Sequence, residues 1–153
     1  MRKGLRDRAD PAKAKMLRRF FKTGPGEYGE GDIFLGLVVP KIRILSKKYS
    51  RLDINDAEIL LSSPIHEERL CALLILVLKF ENGSGPEKAE IYRRYLKNTG
   101  YINSWDLVDL TADRIVGAFL KDRDKSVLRK LAGSSNIWER RIAILSTFHF
   151  IKN

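Results

Sequence analysis

Apolar residues recur at intervals of three and four along nearly the whole chain. This spacing predicts helices over residues 12–21, 39–49, 54–63, 65–80, 85–99, 104–120, 124–135 and 136–152. Segment 65–80 is apolar around too much of its circumference for a surface helix, so we expect it to lie centrally. No segment shows a convincing strand-like alternation. The pattern therefore predicts an all-α protein of about eight helices.

Local signals refine two of these helices and one loop. Pro40 suits the first turn of helix 39–49, and Asn55 or Asp56 suits the cap of helix 54–63. The glycine-rich stretch TGPGEYGEGDIFLG (23–36) lacks both the GxxxxGK[ST] pattern and a preceding strand. Its acidic residues would also repel phosphate. We predict a shaped loop whose glycines supply positive φ angles.

The chain resembles itself at long range. SPIHEERLCAL (63–73) and SNIWERRIAIL (135–145) share five identities at an offset of 72 residues, and INSWDLVDLTA lies between them. Helical segments recurring at about 36 residues are typical of HEAT-like or ARM-type repeats, in which antiparallel helix pairs stack into an α-α superhelix. We therefore predict one HEAT-like repeat domain over residues 1–153, with Arg69, Asp109 and Arg141 at matched positions on neighbouring helices. Chance similarity between amphipathic helices is the alternative.

Charge suggests the kind of partner. The net charge is +10, and residues 1–51 hold 14 Lys and Arg against 5 Asp and Glu, whereas residues 52–153 hold 15 against 14. A basic excess of this size indicates a polyanion, most often nucleic acid. A basic terminus that only keeps the protein soluble is the alternative.

The sequence shows no pattern typical of a structural zinc site, a signal peptide or a membrane span. Cys71 is the only cysteine, and two histidines (His66, His149) complete the set, too few for a structural zinc site of the usual kind. A lone cysteine in an apolar segment indicates a reduced, buried thiol in a cytoplasmic protein. The charged N-terminus has no signal-peptide core, and the longest apolar run is about half of a membrane span.

Trp105 and Asp109 are the most suggestive chemical pair. They lie four residues apart in INSWDLVDL (102–110), so they share one face of the predicted helix. Trp105 is either a core residue or a flat surface for a substrate. Asp109 is either a presented carboxylate or the structural ion-pair partner of Arg141 or Arg69. The residues alone leave these alternatives open.

Three blocks together carry a family resemblance. GEYGEGDIFLGLVVPKIRILSKKY, INSWDLVDLTADRIVG and IWERRIAILSTFHFIK resemble the DNA alkylation-repair glycosylases of the AlkD type, which are HEAT-like proteins. The resemblance runs from about residue 8 to the last residue. It implies excision of alkylated purines, chiefly 7-substituted guanine and 3-substituted adenine, from double-stranded DNA. It also implies that Trp105 and Asp109 act at the reaction centre and that Arg141 contacts DNA. The repeat adds Arg69 as a nucleic-acid contact.

The implied chemistry suits these residues. An N7- or N3-alkylated purine is a cationic leaving group, and its departure builds an oxocarbenium-like sugar that a fixed carboxylate stabilises. Asp109 can supply that charge and orient a water, while Trp105 lays an aromatic face against the cation. Such hydrolysis requires no metal or organic cofactor, so we expect none.

The resemblance also predicts a difference. Family members continue through further helices, which suggests that this chain is a shortened version, a fragment, or a protein whose C-terminal end is covered by self-association. The alternative function is a non-catalytic HEAT-like module that binds DNA or protein.

Overall fold

The structure is a computed structural model that describes residues 1–151, and its regular secondary structure is helical. Within this range there is no β-strand, only an isolated parallel bridge between Ile33 and Ile65. A 3₁₀ turn at Thr99–Tyr101 and a π-helical turn at Asp113–Gly117 accompany the α-helices. The α-helices are α1 (Arg2–Arg6), α2 (Pro11–Phe20), α3 (Val39–Lys48), α4 (Ile54–Leu61), α5 (His66–Asn82), α6 (Gly85–Lys97), α7 (Trp105–Asp109), α8 (Ala118–Leu120), α9 (Ser126–Ala132) and α10 (Ile137–Ile151).

The helices group into two compact units, Met1–Leu78 and Lys79–Asn153. None of the helices among residues 1–151 is both long enough and apolar enough to cross a lipid bilayer. The predicted all-α class is confirmed, and the described helix boundaries lie within three residues of those predicted, except in segment 104–120. The short helix α1 was not predicted.

Helix α5 supplies the centre of the first unit. Every residue from Leu70 to Val77 is buried, so all sides of this stretch are covered, as its apolar run predicts. Cys71 is fully buried, and burial raises the pKa of its thiol to about 12. The prediction of a buried thiol that forms no disulfide is therefore confirmed.

The Glu67 carboxylate, at the start of α5, fixes the loop that precedes α3. The Glu67 carboxylate accepts hydrogen bonds from the backbone N–H groups of Leu35, Gly36 and Leu37, at 2.9, 2.8 and 3.1 Å. Gly36 has φ +90°, and a Cβ there would meet the backbone of α2. Gly26 and Gly31 also have positive φ, so the predicted shaped loop is confirmed.

Helix α4 is capped two or three residues earlier than predicted. Asp53, not Asn55 or Asp56, is the N-cap, and its carboxylate accepts a hydrogen bond from the Asn55 N–H at 2.7 Å. All three side chains are competent caps, so residue type alone could not separate them. Pro40 lies in the first turn of α3 as predicted.

In the second unit, the predicted continuous helix 104–120 is broken. Helix α7 ends at Asp109, and the chain resumes through the π-helical turn into α8. The Thr111 hydroxyl donates to the Leu107 carbonyl at 2.5 Å, which is a side-chain bond that bends helices. Gly117 lies where the π-helical turn packs against Ser146 of α10. The hydrophobic spacing was correct, but it carried no sign of this local rearrangement.

Candidate active site

Asp109 and Arg141 form a two-pronged ion pair. Arg141 Nε donates to Asp109 Oδ1 at 2.7 Å, and Nη2 donates to Oδ2 at 2.6 Å. The Asp109 side chain is 29% exposed and that of Arg141 is 40% exposed, so the pair lies at the surface of its unit with one side open to solvent. This hydrogen bonding, together with the charge of Asp109, raises the pKa of Arg141 despite the cost of partial burial. The planar geometry holds the carboxylate in one orientation.

Trp105 lies on the same outward face of α7. Asp106, Leu107 and Val108 are buried, whereas Trp105 and Asp109 are half-buried. Residues four apart project from one side of a helix, so the indole and the carboxylate face the surface together. Asp106 lies in the first turn of α7 but does not cap it, because Ser104 is the N-cap residue. The geometry thus favours a presented surface over a buried core tryptophan.

Buried hydrogen bonds hold α7 from beneath. The hydroxyls of Tyr95 and Thr111 lie 2.9 Å apart in a fully buried contact. Burial, only partly opposed by this hydrogen bond, raises the pKa of Tyr95, so its hydroxyl stays protonated. Sequence reasoning missed both residues, because a tyrosine in an amphipathic helix and a threonine after a WDxVD block carry no signal of their meeting.

A second contact fixes the start of α10. The Thr99 hydroxyl donates to Glu139 at 2.7 Å. Hydrogen bonds from Ser134 and Thr99 lower the pKa of Glu139, outweighing the effect of burial. No sequence pattern indicates this contact, because Thr99 lies 40 residues before Glu139. It orients the helix that carries Arg141.

Arg69 needs a correction as a predicted nucleic-acid contact. Its side chain is 4% exposed, and its guanidinium donates to Asp32 at 2.6 Å and to the Ser63 carbonyl at 3.0 Å. His66 Nδ1 lies 3.0 Å from the same Asp32 oxygen. A cation this deeply buried and bound to a carboxylate is not presented to a phosphate, so Arg69 takes no part in the proposed site.

The register of the internal repeat explains the difference between the arginines. The Ser63 hydroxyl accepts from the Ile65 N–H, and the Ser134 hydroxyl accepts from the Asn136 N–H. Arg69 and Arg140 donate to carbonyl oxygens six residues before them, those of Ser63 and Ser134. These matched contacts give an offset of 71, not 72.

Arg140 is therefore the local counterpart of Arg69. Arg141 lies one residue further along α10, about 100° around the helix, and so points in a different direction. The one-residue slip in the sequence alignment equated two arginines whose surroundings differ.

The described residues 1–151 contain no cluster of three or more His, Cys, Asp or Glu side chains that could hold a metal ion. The site therefore consists of an aromatic ring, a carboxylate and a guanidinium. These groups can stabilise a cation, orient a water and contact a phosphate.

Comparison with known proteins supports the resemblance. A family model described as "DNA alkylation repair enzyme" matches residues 1–153. No curated protein and no solved structure matches the chain significantly. Because the family match covers the whole chain, including the WDLVD and WERR segments, the protein belongs to the DNA alkylation repair enzyme family.

Proposed function

We propose that the protein is a DNA glycosylase that hydrolyses the N-glycosidic bond of cationic alkylated purines, such as 7-methylguanine and 3-methyladenine, in duplex DNA. Family membership supports a role in DNA alkylation repair. The observation that carries the finer proposal is the partly exposed Asp109 carboxylate, which Arg141 holds in one orientation and which lies one turn after Trp105.

In this proposal the Asp109 carboxylate stabilises charge on the sugar and does not protonate the base. An alkylated purine leaves with the electrons of the glycosidic bond and becomes neutral, so it needs no general acid. Positive charge then develops at the sugar C1′, and a fixed carboxylate stabilises it. Each Asp109 oxygen accepts one hydrogen bond from Arg141, which leaves a further lone pair on each oxygen for an attacking water. Water adds at C1′ and loses its proton to solvent.

Trp105 supplies the second contact with developing charge. Its half-buried indole lies on the outward face of α7 beside Asp109. An indole face attracts a cation within about 6 Å of its centroid, and the attraction grows as water is removed. We propose that the ring lies against the sugar or the cationic base of the lesion.

Arg141 binds the carboxylate and still offers a surface to DNA. Nε and one Nη2 proton are engaged with Asp109. The opposite edge of the guanidinium, formed by Nη1 and the second Nη2 proton, has the fork geometry that matches a phosphate. With its side chain 40% exposed, Arg141 can hold Asp109 and a flanking phosphate together.

A non-catalytic DNA-binding module is the second candidate. It is favoured by the fact that both carboxylate oxygens of Asp109 already bind Arg141, as in a structural ion pair. For both candidates we propose a HEAT-like repeat architecture, supported by the matched hydrogen bonds at the starts of α5 and α10. Self-association through the C-terminal end stays a prediction, consistent with the exposed Ile144, Phe148 and Ile151 of α10.

Base release separates the two candidates. The protein is incubated with a duplex carrying one 7-methylguanine, and free base is measured beside salt-dependent binding to the same duplex. A glycosylase releases base, and Trp105→Ala or Arg141→Ala slows the release. A module binds the duplex with an affinity that falls steeply with salt but releases nothing. The second outcome would replace the proposed activity.

A further inference from the structure

One face of α2 combines exposed apolar and basic side chains. Met16 and Phe20, one turn apart, are 60% and 62% exposed. Together with Ala12, Lys15 and Arg19 they line an open depression of about 530 Å³, which we call the α2 face. Clefts that bind small ligands measure roughly 300–1,000 Å³, and this depression, which is open to solvent on one side, has a volume in that range.

The cations of the α2 face are not neutralised by the protein. Helix α2 contains no acidic residue, and Lys13 pairs with Asp10. Neither Lys15 nor Arg19 forms an ion pair with any carboxylate of residues 1–151. Two unpaired cations one turn apart, alongside an exposed aromatic ring, present charge and a flat apolar surface together.

Lys22, the residue after the C-cap of α2 (Phe21), carries an independent sign of function. The N–H groups of Lys22 and Thr23 donate to the carbonyls of Arg19 and Arg18 at 3.3 and 3.2 Å, the paired bonds of a glycine-type helix ending. Lys22 has φ +50° there, a left-handed conformation that costs a side-chain-bearing residue stability. Glycine would relieve this strain, but it would remove an exposed cation that lies two residues after Phe20 in the chain.

We propose that the α2 face is a binding surface for single-stranded DNA. Lys15, Arg19 and Lys22 contact the phosphates, while Phe20 and Met16 contact an unstacked base or its sugar. A basic surface that carries an exposed aromatic ring is the usual recognition mode for single strands, because every base has a π face. Duplex DNA would satisfy the cations but leave Phe20 and Met16 exposed, since its base faces are stacked inside.

The inference rests on DNA as the partner of this family, not on the chemistry proposed for Asp109. The α2 face lies wholly within the unit Met1–Leu78. It would give the protein a means to hold unpaired strand. The proposal can therefore succeed or fail independently of base release.

The test is fluorescence anisotropy of the full-length protein with an undamaged oligo-dT of roughly 12 nucleotides, within the usual site sizes. We expect Phe20→Ala to weaken binding about tenfold and Phe20→Trp to retain it, as expected for stacking. Lys15→Ala and Arg19→Ala should each reduce the salt dependence. Ile59→Ala removes an equally exposed apolar side chain (59%) from another helix and should have no effect.

Lys22→Gly separates a binding role of the Lys22 side chain from a purely structural one. We expect it to raise the unfolding midpoint while weakening oligo-dT binding. Unchanged oligo-dT affinity in both Phe20→Ala and Lys22→Gly would overturn the proposal. So would binding to phosphatidylserine vesicles that depends on Phe20 while oligo-dT binding does not, because the α2 face would then be a lipid surface. Since no damaged base is present, an inactive glycosylase could still give the expected result.

Discussion

Gly117→Ala should damage the site from a distance. A Cβ on Gly117 would lie 2.8 Å from the His149 Cβ and closer still to the Ser146 carbonyl oxygen. Real Cβ atoms essentially never lie within 3.0 Å of such an atom. Relieving the closer contact, with the Ser146 oxygen, therefore requires α10 to retreat by at least about 0.6 Å relative to the π-helical turn. Inserting one carbon into a packed contact of this kind costs about 1–3 kcal/mol of unfolding free energy.

The same displacement should reach Arg141, which is on α10 and five residues before Ser146. Its hydrogen bonds to Asp109, now 2.7 and 2.6 Å, would lengthen to about 3.2–3.3 Å, the outer limit of good geometry. We therefore expect slower base release as well as lower stability, since misplacement by about 1 Å can cost a hundredfold in rate.

Gly133→Ala is the matched control. Gly133 has φ −88°, and a Cβ there would meet its nearest atoms at an ordinary 3.7 Å. It should leave stability unchanged or raise it by about 0.4–1 kcal/mol. Urea unfolding and single-turnover base release are measured for both variants. Equal unfolding free energies in the two variants would refute the close helix crossing. Lost stability with an unchanged rate in the folded protein would refute its link to Arg141.

Two further predictions concern buried groups of the first unit. Burial alone would raise the pKa of Asp32, but hydrogen bonds and charge from His66 and Arg69 lower it below the ordinary 3.8. As the pH falls, the Asp32 carboxylate of the unfolded chain is therefore protonated before that of the folded protein. The stability that Asp32 contributes is present above pH 3.8 and should be lost as the pH falls through its pKa in the folded protein. Asp32→Asn should make the unfolding free energy depend less on pH in this acid range. Cys71, with a thiol pKa of about 12, should resist iodoacetamide at pH 8 until the protein is unfolded, and rapid labelling of the native protein would contradict its burial.

Hydrophobic spacing predicted most of the helices because burial and helix geometry are both periodic. The apolar segment 65–80 predicted a central helix, and every residue from Leu70 to Val77 is buried. The break after Asp109 depends instead on one hydroxyl, that of Thr111, and on the close approach at Gly117. The Thr111 hydroxyl bonds within its own helical turn, which any threonine in a helix could do, and the contact of Gly117 joins it to Ser146, 29 residues later. Hydrophobic spacing therefore does not indicate either contact.

The candidate site was predictable in part for the same reason. The spacing of Trp105 and Asp109 gave their shared face, and the structure supplies the burial of their neighbours. The direction in which an arginine side chain points, however, changes by about 100° when the alignment shifts by one residue along the helix. An alignment offset of 72 equated Arg69 with Arg141, whereas hydrogen bonds at the helix starts equate Arg69 with Arg140. Matching residue types could not give the correct offset between the two segments, because that offset is defined by the hydrogen bonds of Ser63 and Ser134 at the helix starts.

The proposed glycosylase activity requires the Asp109 carboxylate to stabilise the reacting sugar. Its most direct test is the single-turnover rate of 7-methylguanine release by Asp109→Asn, measured at saturating protein. Glu81→Gln is the matched control, because Glu81 also accepts Nε and Nη2 hydrogen bonds from an arginine, Arg114. Both ion pairs are partly exposed, so each substitution should cost at most about 1 kcal/mol of stability.

We predict a rate about 10²–10³-fold lower for Asp109→Asn, as expected when a preorganised charge is removed from a transition state. Glu81→Gln should release base at the wild-type rate. Equal rates for Asp109→Asn and Glu81→Gln would contradict the account and make Asp109 a structural partner of Arg141.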